Sequence, residues 1–582
     1  AALPQIIKKC GMDSFMTIKL SWNNINDFPH HTFIWNGLDD SKVLVHMPPE
    51  GDYNSNATPY AFEKTYQKYK EKQVSDSALM SFGIGDGGGG PGEYHINMAK
   101  RCENLRYIPN VKMSSSEKFF DELKKDVSNY PEYKGELYLE KHQGTYTTQG
   151  KVKKNNRECE RLLHFAEWIC TMAYMQGKEY PHKELEEIWE EVLLYQFHDI
   201  LPGSHIHPVY EDAMKDYAEI EKTVDSLIGT GSKYFNTLNF KRDALTFVPN
   251  KKGTATRYGV KGNWIIPNIP ALSSASLRAT KFNGEWLNCN GNNIETPFYK
   301  AVLNDDGSIA SLVDKKQDRQ WVDGDFNKLK IYTDCPGNYD AWDILPNYKD
   351  KQIEIKVSEK LSLCELDGEC ATFKTVLSTD KSTWTMLIRF FRRSRGIEVE
   401  NIVDWNEKHK LAKAEFSCNV LTRKALCDTS AGFIERDTHK NTTWQQARFE
   451  TCHHKWADLS ETDGGVALIN DGKYGIGFDE NTMSLSLLRA TIRPDVTSDM
   501  GHHNFSYMIY PHENGAVEAG VNKLAFQFNE QLVKSDVSYD GDTFEPLYLQ
   551  AMKDSEDGSM TVIRLSEQDG KRGKIKLSKS VK

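Results

Sequence analysis

Residues 184–204 read ELEEIWEEVLLYQFHDILPGS, and this stretch decides how the chain is organised. Apolar residues recur every three or four positions, which is typical of an amphipathic helix with one buried face. The residues assigned to this apolar stripe are Leu185, Ile188, Trp189, Val192, Leu193, Gln196 and Phe197. Pro181 precedes the stripe and Pro202-Gly203 follow it, so we predict that the helix lies between them.

Helical spacing continues on both sides of this stretch, over residues 154–230. The apolar positions of the earlier helix are Leu162, Phe165, Trp168, Ile169 and Met172, and those of the later helix are Tyr210, Met214, Tyr217, Ile220, Val224 and Leu227. Three amphipathic helices joined by short breaks form a small bundle. We therefore predict a helical middle domain over residues 131–235.

Residues 1–130 have an α/β pattern. Apolar runs such as Val43–His46 and Leu79–Phe82 precede loops rich in Gly, Pro and Asp, and Ser116–Val127 has helical spacing. Strands that alternate with helices favour a parallel sheet, whose functional residues lie at the carboxyl ends of the strands.

After about residue 236 the pattern changes to short alternating runs separated by turns. One example is Ala301–Leu303, which is followed by the turn residues Asn304–Gly307. This spacing continues along the chain and indicates antiparallel β-sandwiches. We predict one sandwich over residues 236–345 and a larger one over residues 346–582.

Composition argues against two classes of partner. The 582 residues include 73 basic and 83 acidic ones, for a formal net charge of −10, and no long block carries one sign. Nucleic-acid binding usually needs a concentrated basic surface, and a membrane span needs 18 or more consecutive apolar residues. We expect neither partner. The 11 cysteines form no Cys-x-x-Cys pair, which is typical of reduced thiols.

His198 and Asp199 lie at the end of the predicted helix, where they could carry chemistry. His198 falls roughly opposite the apolar stripe, so a neutral imidazole there could bind a metal while Asp199 hydrogen-bonds a polar ligand. A polar helix end with a capping role explains the same residues. His205 and His207 follow in a proline-interrupted loop without i, i+4 spacing, which disfavours a three-histidine zinc site.

A second motif is the glycine-rich run Gly83–Pro91, in which Asp86 is the one carboxylate. Glycine permits a ligand to approach the backbone closely, and a carboxylate there can serve as an acid or a base. A flexible surface loop is the alternative, and no Gly-Lys-Ser/Thr follows as a phosphate-binding loop requires. The runs His46–Tyr53 and His142–Thr148 carry groups that bind sugars, as many ordinary loops do.

Together these segments resemble glycoside hydrolase family 38, the α-mannosidases, and are more similar to its cytosolic/vacuolar and bacterial branch than to its Golgi and lysosomal branches. The matching positions extend over about residues 1–530. The runs that carry the resemblance are Lys19–Asn23, Phe28–Phe33, Gly85–Pro91, His142–Gln149, Gln196–Ser204, Lys455–Glu461 and Asp499–His512.

The resemblance implies a retaining, metal-dependent hydrolysis of terminal α-D-mannosidic bonds in oligosaccharides, in which two carboxylates about 5 Å apart act on the sugar. The implied metal is Zn²⁺, with Co²⁺ or another divalent ion as alternatives. A homo-oligomer in the cytoplasm, or in the vacuole after delivery from the cytoplasm, is also implied.

The resemblance carries roles onto particular residues. It makes Asp86 the acid/base, His198 a metal ligand and Asp199 a substrate contact. Further substrate-binding residues expected on this basis are Tyr53, His142, Tyr146, Arg489 and His503. In the family, the nucleophile also ligates zinc and precedes a stretch like Ala2–Gln5. We therefore expect the nucleophile and three of the four metal ligands to lie upstream of Ala1.

The expected fold is multidomain α/β plus α plus β. It comprises the C-terminal part of a (β/α)₇-type barrel, a three-helix bundle and two β-sandwich units, the larger of which is a mutarotase-like supersandwich. Two functional alternatives stay open: a non-enzymatic carbohydrate-binding or structural fragment, and a metal-dependent glycosidase with another α-glycoside as its substrate.

Overall fold

The computed structural model describes residues 2–278, 282, 284–537, 539, 541 and 544–577. The chain divides into two compact units, each described by itself below. They are Ala1–Lys141 with Thr442–Ala447, and His142–Asn441 with Arg448–Lys582. The division into four domains at residues 130, 235 and 345 stays a prediction.

The first unit contains short helices around a small sheet. Its helices are α1 (Leu3–Lys9), α2 (Pro59–Lys68), α3 (Glu93–Cys102) and α4 (Ser116–Leu123), with 3₁₀ turns at Lys19–Trp22 and Lys124–Asn129. Its strands are β1 (Ser14–Met16), β2 (Thr32–Asn36), β3 (Lys42–His46) and β4 (Glu132–Lys134).

The sheet of the first unit has the order β1-β3-β2-β4. β1 pairs with β3, and β2 with β4, in parallel, whereas β2 and β3 are antiparallel. The expectation of a parallel sheet is therefore wrong for the central pair, because the connection 37–41 is too short for a parallel crossover. Leu79–Phe82 was expected to be a strand and forms an isolated bridge between Phe82 and Ser55.

Both faces of the central strands are covered. Phe33, Val43 and Val45 belong to one apolar cluster, and Ile34 and Leu44 on the opposite face belong to another. Burial on both faces explains why β3 is a continuous apolar run instead of an alternating one.

Three helices of the second unit, α5 (Gly150–Met175), α6 (His182–Tyr195) and α7 (His207–Ile228), share one apolar core. The buried residues of α6 are Leu185, Ile188, Val192 and Tyr195. The predicted stripe is wrong at its end, where Leu193 is 58% exposed and Phe197 is 51% exposed. Each residue turns the helix by about 100°, which places Tyr195 on the same side of the helix axis as the other buried residues and Leu193 outside that side. Phe197 lies beyond the end of the helix.

The rest of the second unit is mostly β-structure. The strands up to residue 333 are β5 (Tyr234–Phe235), β6 (Thr246–Pro249), β7 (Ala255–Arg257), β8 (Val260–Ile265), β9 (Ser274–Ala275), β10 (Asn288–Asn290), β11 (Asn293–Glu295), β12 (Tyr299–Leu303), β13 (Ile309–Asp314), β14 (Arg319–Gln320) and β15 (Val322–Thr333). The following strands are β16 (Lys356–Leu366), β17 (Cys370–Ser378), β18 (Thr383–Phe391), β19 (Ile397–Trp405), β20 (Lys410–Cys418), β21 (Lys424–Thr429) and β22 (Gly432–Asp437).

After β22 comes the short helix α8 (Thr443–Ala447), which belongs to the first unit. The remaining elements are β23 (Thr451–Cys452), β24 (Trp456–Ser460), β25 (Gly464–Asn470), β26 (Gly475–Asp479), β27 (Thr482–Ala490), β28 (Gly501–Glu513), α9 (Val521–Asn529), β29 (Val533–Lys534), β30 (Tyr548–Asp554) and β31 (Thr561–Ser566). Further 3₁₀ turns lie at Gln143–Tyr146, Gly337–Tyr339 and Tyr348–Asp350.

Two sheets dominate this part. One has the order β16-β17-β18-β19-β28-β25-β24-β21-β22 and the other β15-β20-β27-β26-β23. The inner faces of these two sheets contribute to a single large core. This core also includes side chains from β11 to β13, so it contains residues that precede position 345 and residues that follow it. Smaller sheets are β10-β11-β12-β13-β14, β29-β5-β9, β6-β8-β7 and β30-β31.

The 11 cysteines all lie within the described residues and none of them is in a disulfide, in agreement with the scattered pattern in the sequence. Within the described residues, no helix combines the length and the apolar character that a membrane crossing requires.

Candidate functional site

Asp86 is exposed on a closed loop of the first unit. Backbone hydrogen bonds of 2.9 and 3.0 Å between Ile84 and Gly90 fasten the base of this loop. Gly83 has a φ of +108°, and a Cβ there would lie 2.5 Å from the backbone nitrogen of Pro91. Glycine is therefore required at this turn, which holds Asp86 outward.

Asn54 and Tyr53 lie against this loop. Asn54 Nδ2 donates to Asp86 Oδ2 at 3.4 Å, and Asn54 Oδ1 accepts from the Gly85 backbone nitrogen at 2.5 Å. A Cβ at Gly85 would lie 2.7 Å from Tyr53 Cδ2. The structure thus brings together two predicted residues, Asp86 and Tyr53. Sequence reasoning missed Asn54, for which adjacency to Tyr53 was the available signal.

The ring of Tyr53 has its own support. Its centroid lies 5.7 Å from that of Trp22, and Lys19 Nζ lies 5.1 Å from the Tyr53 centroid and 3.9 Å from the Trp22 centroid. Trp22 Nε1 donates to the Gly51 carbonyl oxygen at 3.0 Å. An aromatic surface next to a carboxylate and an amide is a combination that suits a sugar.

His198 and Asp199 belong to the second unit and lie in the turn after α6. The His198 side chain is 79% exposed, and its Nε2 lies 3.7 Å from Asp199 Oδ2. Ser204 Oγ donates to Asp199 Oδ1 at 2.7 Å, which orients that carboxylate. The C-cap of α6 is Gln196. His198 is therefore neither a core histidine nor the helix cap.

The loop that carries His142 is anchored from beneath by a buried arginine. Arg489 donates five hydrogen bonds inside the protein, to Asp334, Thr148 and the carbonyl oxygens of Asp340 and Asp343. A Cβ at Gly144 would lie 2.7 Å from Arg489 Nη1.

The same loop meets the Asp343 carboxylate, because the His142 backbone nitrogen donates to Asp343 Oδ1 at 2.7 Å. His142 and Tyr146 are half-buried. Arg489 uses all five of its N–H groups internally, so the structure supports a positioning role. Direct contact of Arg489, His142 or Tyr146 with substrate stays a prediction.

His503 is also internal. Its Nε2 lies 2.7 Å from the Asp499 carbonyl oxygen, and burial lowers its pKa to about 3, so the neutral ring donates this hydrogen bond. The Asp499 carboxylate accepts from the backbone nitrogens of Gln149 and Gly150 at 2.6 and 2.7 Å, at the start of α5. The contact of His503 with substrate stays a prediction, and the observed contacts hold the entry to α5.

The structure brings the runs 142–149 and 196–204 together within the second unit. Lys153 Nζ donates to the Thr148 carbonyl oxygen at 2.5 Å and to that of Leu201 at 2.9 Å. A Cβ at Gly203, whose φ is +84°, would lie 2.3 Å from the Thr148 carbonyl oxygen. Sequence reasoning missed Lys153, because a lysine within an amphipathic helix is usually solvated.

The described residues do not by themselves form a metal site. No group of three His, Cys, Asp or Glu side chains within that part of the chain is placed to hold an ion. His205 Nδ1 lies 3.1 Å from the Ile206 carbonyl oxygen, and His207 Nδ1 lies 3.0 Å from Asp495 Oδ2. Within the described residues, neither imidazole forms a group of three with His198 that could hold an ion. Zn²⁺ takes four ligands, of which His198 would supply one.

Asp86 and His198 belong to different units. Their convergence on one sugar-sized space, expected from the sequence, stays a prediction.

Comparison with known families gives matches along most of the chain. Family models match at residues 1–136 (glycosyl hydrolases family 38 N-terminal domain), 140–234 (alpha mannosidase middle domain) and 294–497 (glycosyl hydrolases family 38 C-terminal domain). The chain belongs to glycoside hydrolase family 38. The resemblance that the sequence motifs indicated is thereby confirmed.

Curated proteins with the name alpha-mannosidase are similar to this family 38 chain. It is 34% identical over 577 residues to Alpha-mannosidase 2C1 of Mus musculus, covering 92% of the chain and 53% of that protein. It is 31% identical to Alpha-mannosidase G of Dictyostelium discoideum, covering 98% and 60%, and 33% identical to Alpha-mannosidase of Saccharomyces cerevisiae, covering 90% and 50%. The chain spans about half the length of the curated relatives it matches.

A solved structure has a similar fold. The crystal structure of an alpha-mannosidase from Enterococcus faecalis V583 superposes with a TM-score of 0.74, covering 97% of the family 38 chain and 80% of the bacterial chain. At 14% identity this likeness concerns the fold alone. Together with the family matches, it establishes a multidomain fold that mixes helices with many β-sheets.

Proposed function

We propose that the intact protein hydrolyses terminal α-D-mannosidic bonds in oligosaccharides with retention of configuration. The observation that carries this proposal is the placement of Asp86, which a glycine loop holds outward beside Asn54 and Tyr53. Membership of family 38 and relatives with the name alpha-mannosidase support mannose as the sugar.

Asp86 acts as the acid/base in this proposal. In the first step its carboxylic acid protonates the glycosidic oxygen, and in the second its carboxylate removes a proton from water. Asn54 Nδ2 contacts Oδ2, which leaves Oδ1 to carry the proton. A second carboxylate must attack the anomeric carbon from the opposite face. The Tyr53 ring offers a flat surface to the sugar.

We also propose that His198 supplies one imidazole to a Zn²⁺ ion, with Co²⁺ as the alternative, and that Asp199 contacts the substrate. A divalent ion would polarise and orient sugar hydroxyl groups. The described residues do not complete such a site, so no step of the proposal depends on the ion.

Three structural proposals accompany the reaction. The first unit is the C-terminal part of a (β/α)₇-type barrel, the helices α5, α6 and α7 form the middle domain, and the β-structure forms two sandwich units. The protein is a homo-oligomer in the cytoplasm or vacuole. Light scattering tests the oligomeric state, and cell fractionation tests the location.

The test of the reaction compares Asp86→Asn with Asp76→Asn, an exposed carboxylate of the same unit. General acid-base catalysis contributes about 10²- to 10⁴-fold, so Asp86→Asn should lower kcat/KM by that factor on methyl α-D-mannoside. The loss should be smaller on 4-nitrophenyl α-D-mannoside, whose leaving group needs little protonation. Asp76→Asn should have no effect. Equal losses on both substrates, or no cleavage by the full-length protein, would contradict the proposal.

A further inference from the structure

A cavity of about 610 Å³ lies in the second unit. Among the described residues, those that line this cavity include none of the residues predicted for hydrolysis. Side chains of α5, α6 and α7 form part of its wall, and loops between β-strands and the end of α9 form another part. The cavity is partly open to solvent. Cavities of roughly 300–1,000 Å³ are the size that small organic ligands occupy.

Aromatic side chains give this cavity flat surfaces. Trp168 on α5 and Trp189 on α6 line it, and His164 stacks on Trp168 with ring planes 5° apart and centroids separated by 6.2 Å. Tyr474 and Phe526 line it from the β-structure and from α9. Rings of this kind pack against the apolar face of a pyranose while its hydroxyl groups turn to polar neighbours.

Three polar side chains in the lining make few or no side-chain hydrogen bonds to the described part of the protein. No side-chain hydrogen bond of His164 or His454 is found among the described residues, and Glu530 has one long contact, 3.4 Å from the Thr237 hydroxyl. Burial lowers the pKa of His164 to about 4 and that of His454 to about 3. Both rings are therefore neutral at physiological pH. A neutral imidazole offers one donor and one acceptor, which matches a hydroxyl group.

Glu530 adds a similar capacity. Burial raises its pKa to about 7, so near neutral pH a fraction of its carboxyl groups is protonated. A protonated carboxyl donates through its hydroxyl and accepts through its carbonyl oxygen.

The cations of the lining already have partners inside the protein. The five contacts are Arg157 Nε with the Tyr474 hydroxyl at 3.0 Å, Lys154 Nζ with Asp471 Oδ2 at 3.2 Å, Lys455 Nζ with Asp428 Oδ2 at 3.0 Å, Arg161 Nε with Glu158 Oε2 at 2.9 Å, and Arg257 Nε with Glu398 Oε1 at 2.9 Å. An anionic ligand would have to compete for these groups, whereas a neutral one would not. The described residues also hold no cluster fit for a metal ion.

We propose that this cavity is a second carbohydrate site, which binds a neutral saccharide of one or two rings against Trp189 and within reach of the polar groups of His164, His454 and Glu530. The site goes beyond the proposed hydrolysis and does not depend on it, because binding here involves no bond cleavage and no contribution from Asp86.

The experiment is a calorimetric titration of the full-length Asp86→Asn protein with methyl α-D-mannopyranoside and with α-1,2-mannobiose. We expect one binding event at the cavity and a second at the proposed catalytic site, and only the first is required by this proposal. His164→Leu should weaken one of them by about tenfold or more, equivalent to about 1.4 kcal/mol, and leave the other unchanged. His502→Leu, at an exposed histidine 3.3 Å from Asp404, is the matched control and should leave both unchanged.

Glu530→Gln is the second variant and serves if His164→Leu does not fold, as judged by its thermal unfolding. It keeps the size of the side chain and removes the protonation equilibrium, and it too should weaken the same event. A crystal soaked with methyl α-D-mannopyranoside should show the sugar beside Trp189.

Mannose 6-phosphate separates a neutral from an anionic ligand. It should bind the cavity more weakly than methyl α-D-mannopyranoside does. Equal or tighter binding of the phosphate would overturn the neutral assignment. Binding that neither cavity variant changes, whether in one event or two, would overturn the site itself. Neither result bears on hydrolysis, which the α-mannoside cleavage assay of Asp86→Asn and the wild-type protein measures separately.

Discussion

Substitution of Gly85 by alanine tests whether the contact between the glycine loop and Tyr53 positions Asp86. The added Cβ would lie 2.7 Å from Tyr53 Cδ2 and 2.9 Å from Asn54 Oδ1. Carbon atoms in contact prefer about 3.5 Å or more, so the loop or the ring must move by roughly 0.8 Å. The Tyr53 ring is held by Trp22 and Lys19, so the loop with Asp86 should move.

A displacement of about 1 Å can cost up to ~100-fold in rate. We therefore expect Gly85→Ala to lower kcat/KM on an alkyl α-mannoside by about 10- to 100-fold. The loop is exposed, so the free energy of unfolding should change by about 1 kcal/mol or less. Initial rates and urea denaturation of the same preparations measure both quantities.

Gly89→Ala is the matched control in the same loop. Its Cβ would lie 3.7 Å from the nearest atom, Ile84 Cβ, which is an ordinary contact. This variant should keep its activity. If Gly85→Ala is as active as Gly89→Ala, or if both lose activity equally, the contact with Tyr53 does not position Asp86.

Three further substitutions test the second unit. Hydrogen bonding to Asp495 raises the pKa of His207, so the stabilisation by the protonated imidazole is complete below about pH 6.5 and is lost as pH rises through the raised pKa. In urea denaturation, the loss of unfolding free energy caused by His207→Gln should therefore be larger at pH 5.5 than at pH 8.5. A loss that does not change with pH would refute this prediction. Lys413 Nζ lies 2.6 Å from Glu450 Oε2, and both side chains are fully buried. Lys413→Met leaves the Glu450 carboxylate without this cation and should cost about 3–5 kcal/mol in the free energy of unfolding. The double variant with Met at both positions should recover much of this loss, and no recovery would contradict the ion-pair argument. Arg489→Lys cannot reproduce five hydrogen bonds, so limited proteolysis should cut residues 142–148 faster than in the wild-type protein, whereas an unchanged rate would show that another contact holds this loop.

The sequence predicted the helical part of the fold best, because α6 has a regular apolar spacing. It failed at the end of that helix, where Leu193 and Phe197 are exposed and Tyr195 is buried. Counting apolar residues does not separate these positions, whereas their angles around the helix axis do. The antiparallel pairing of β2 and β3 was missed because both strands are buried on both faces, which gives them the apolar runs that are typical of a parallel sheet.

The candidate site was predicted unevenly for a physical reason. Asp86 and Tyr53 stand in unusual local sequences, and the structure places them together. Arg489 and Asp499 act through hydrogen bonds to loops more than 300 positions away in the chain, and nothing local marks such contacts. Lys153 resembles any surface lysine in the sequence, and only the fold places its ammonium group against two carbonyl oxygens.

Helix α8 limits how this protein can be divided for expression. Thr443 Oγ1 donates to Asn26 Oδ1 at 2.6 Å, so a segment from the middle of the β-rich sequence completes the fold of the N-terminal residues. A fragment that stops at residue 141 lacks this segment, and a fragment that starts there carries it without its acceptor. Coexpression of both fragments, or a circular permutation that keeps residues 442–447 tethered, would preserve the contact where simple truncation loses it.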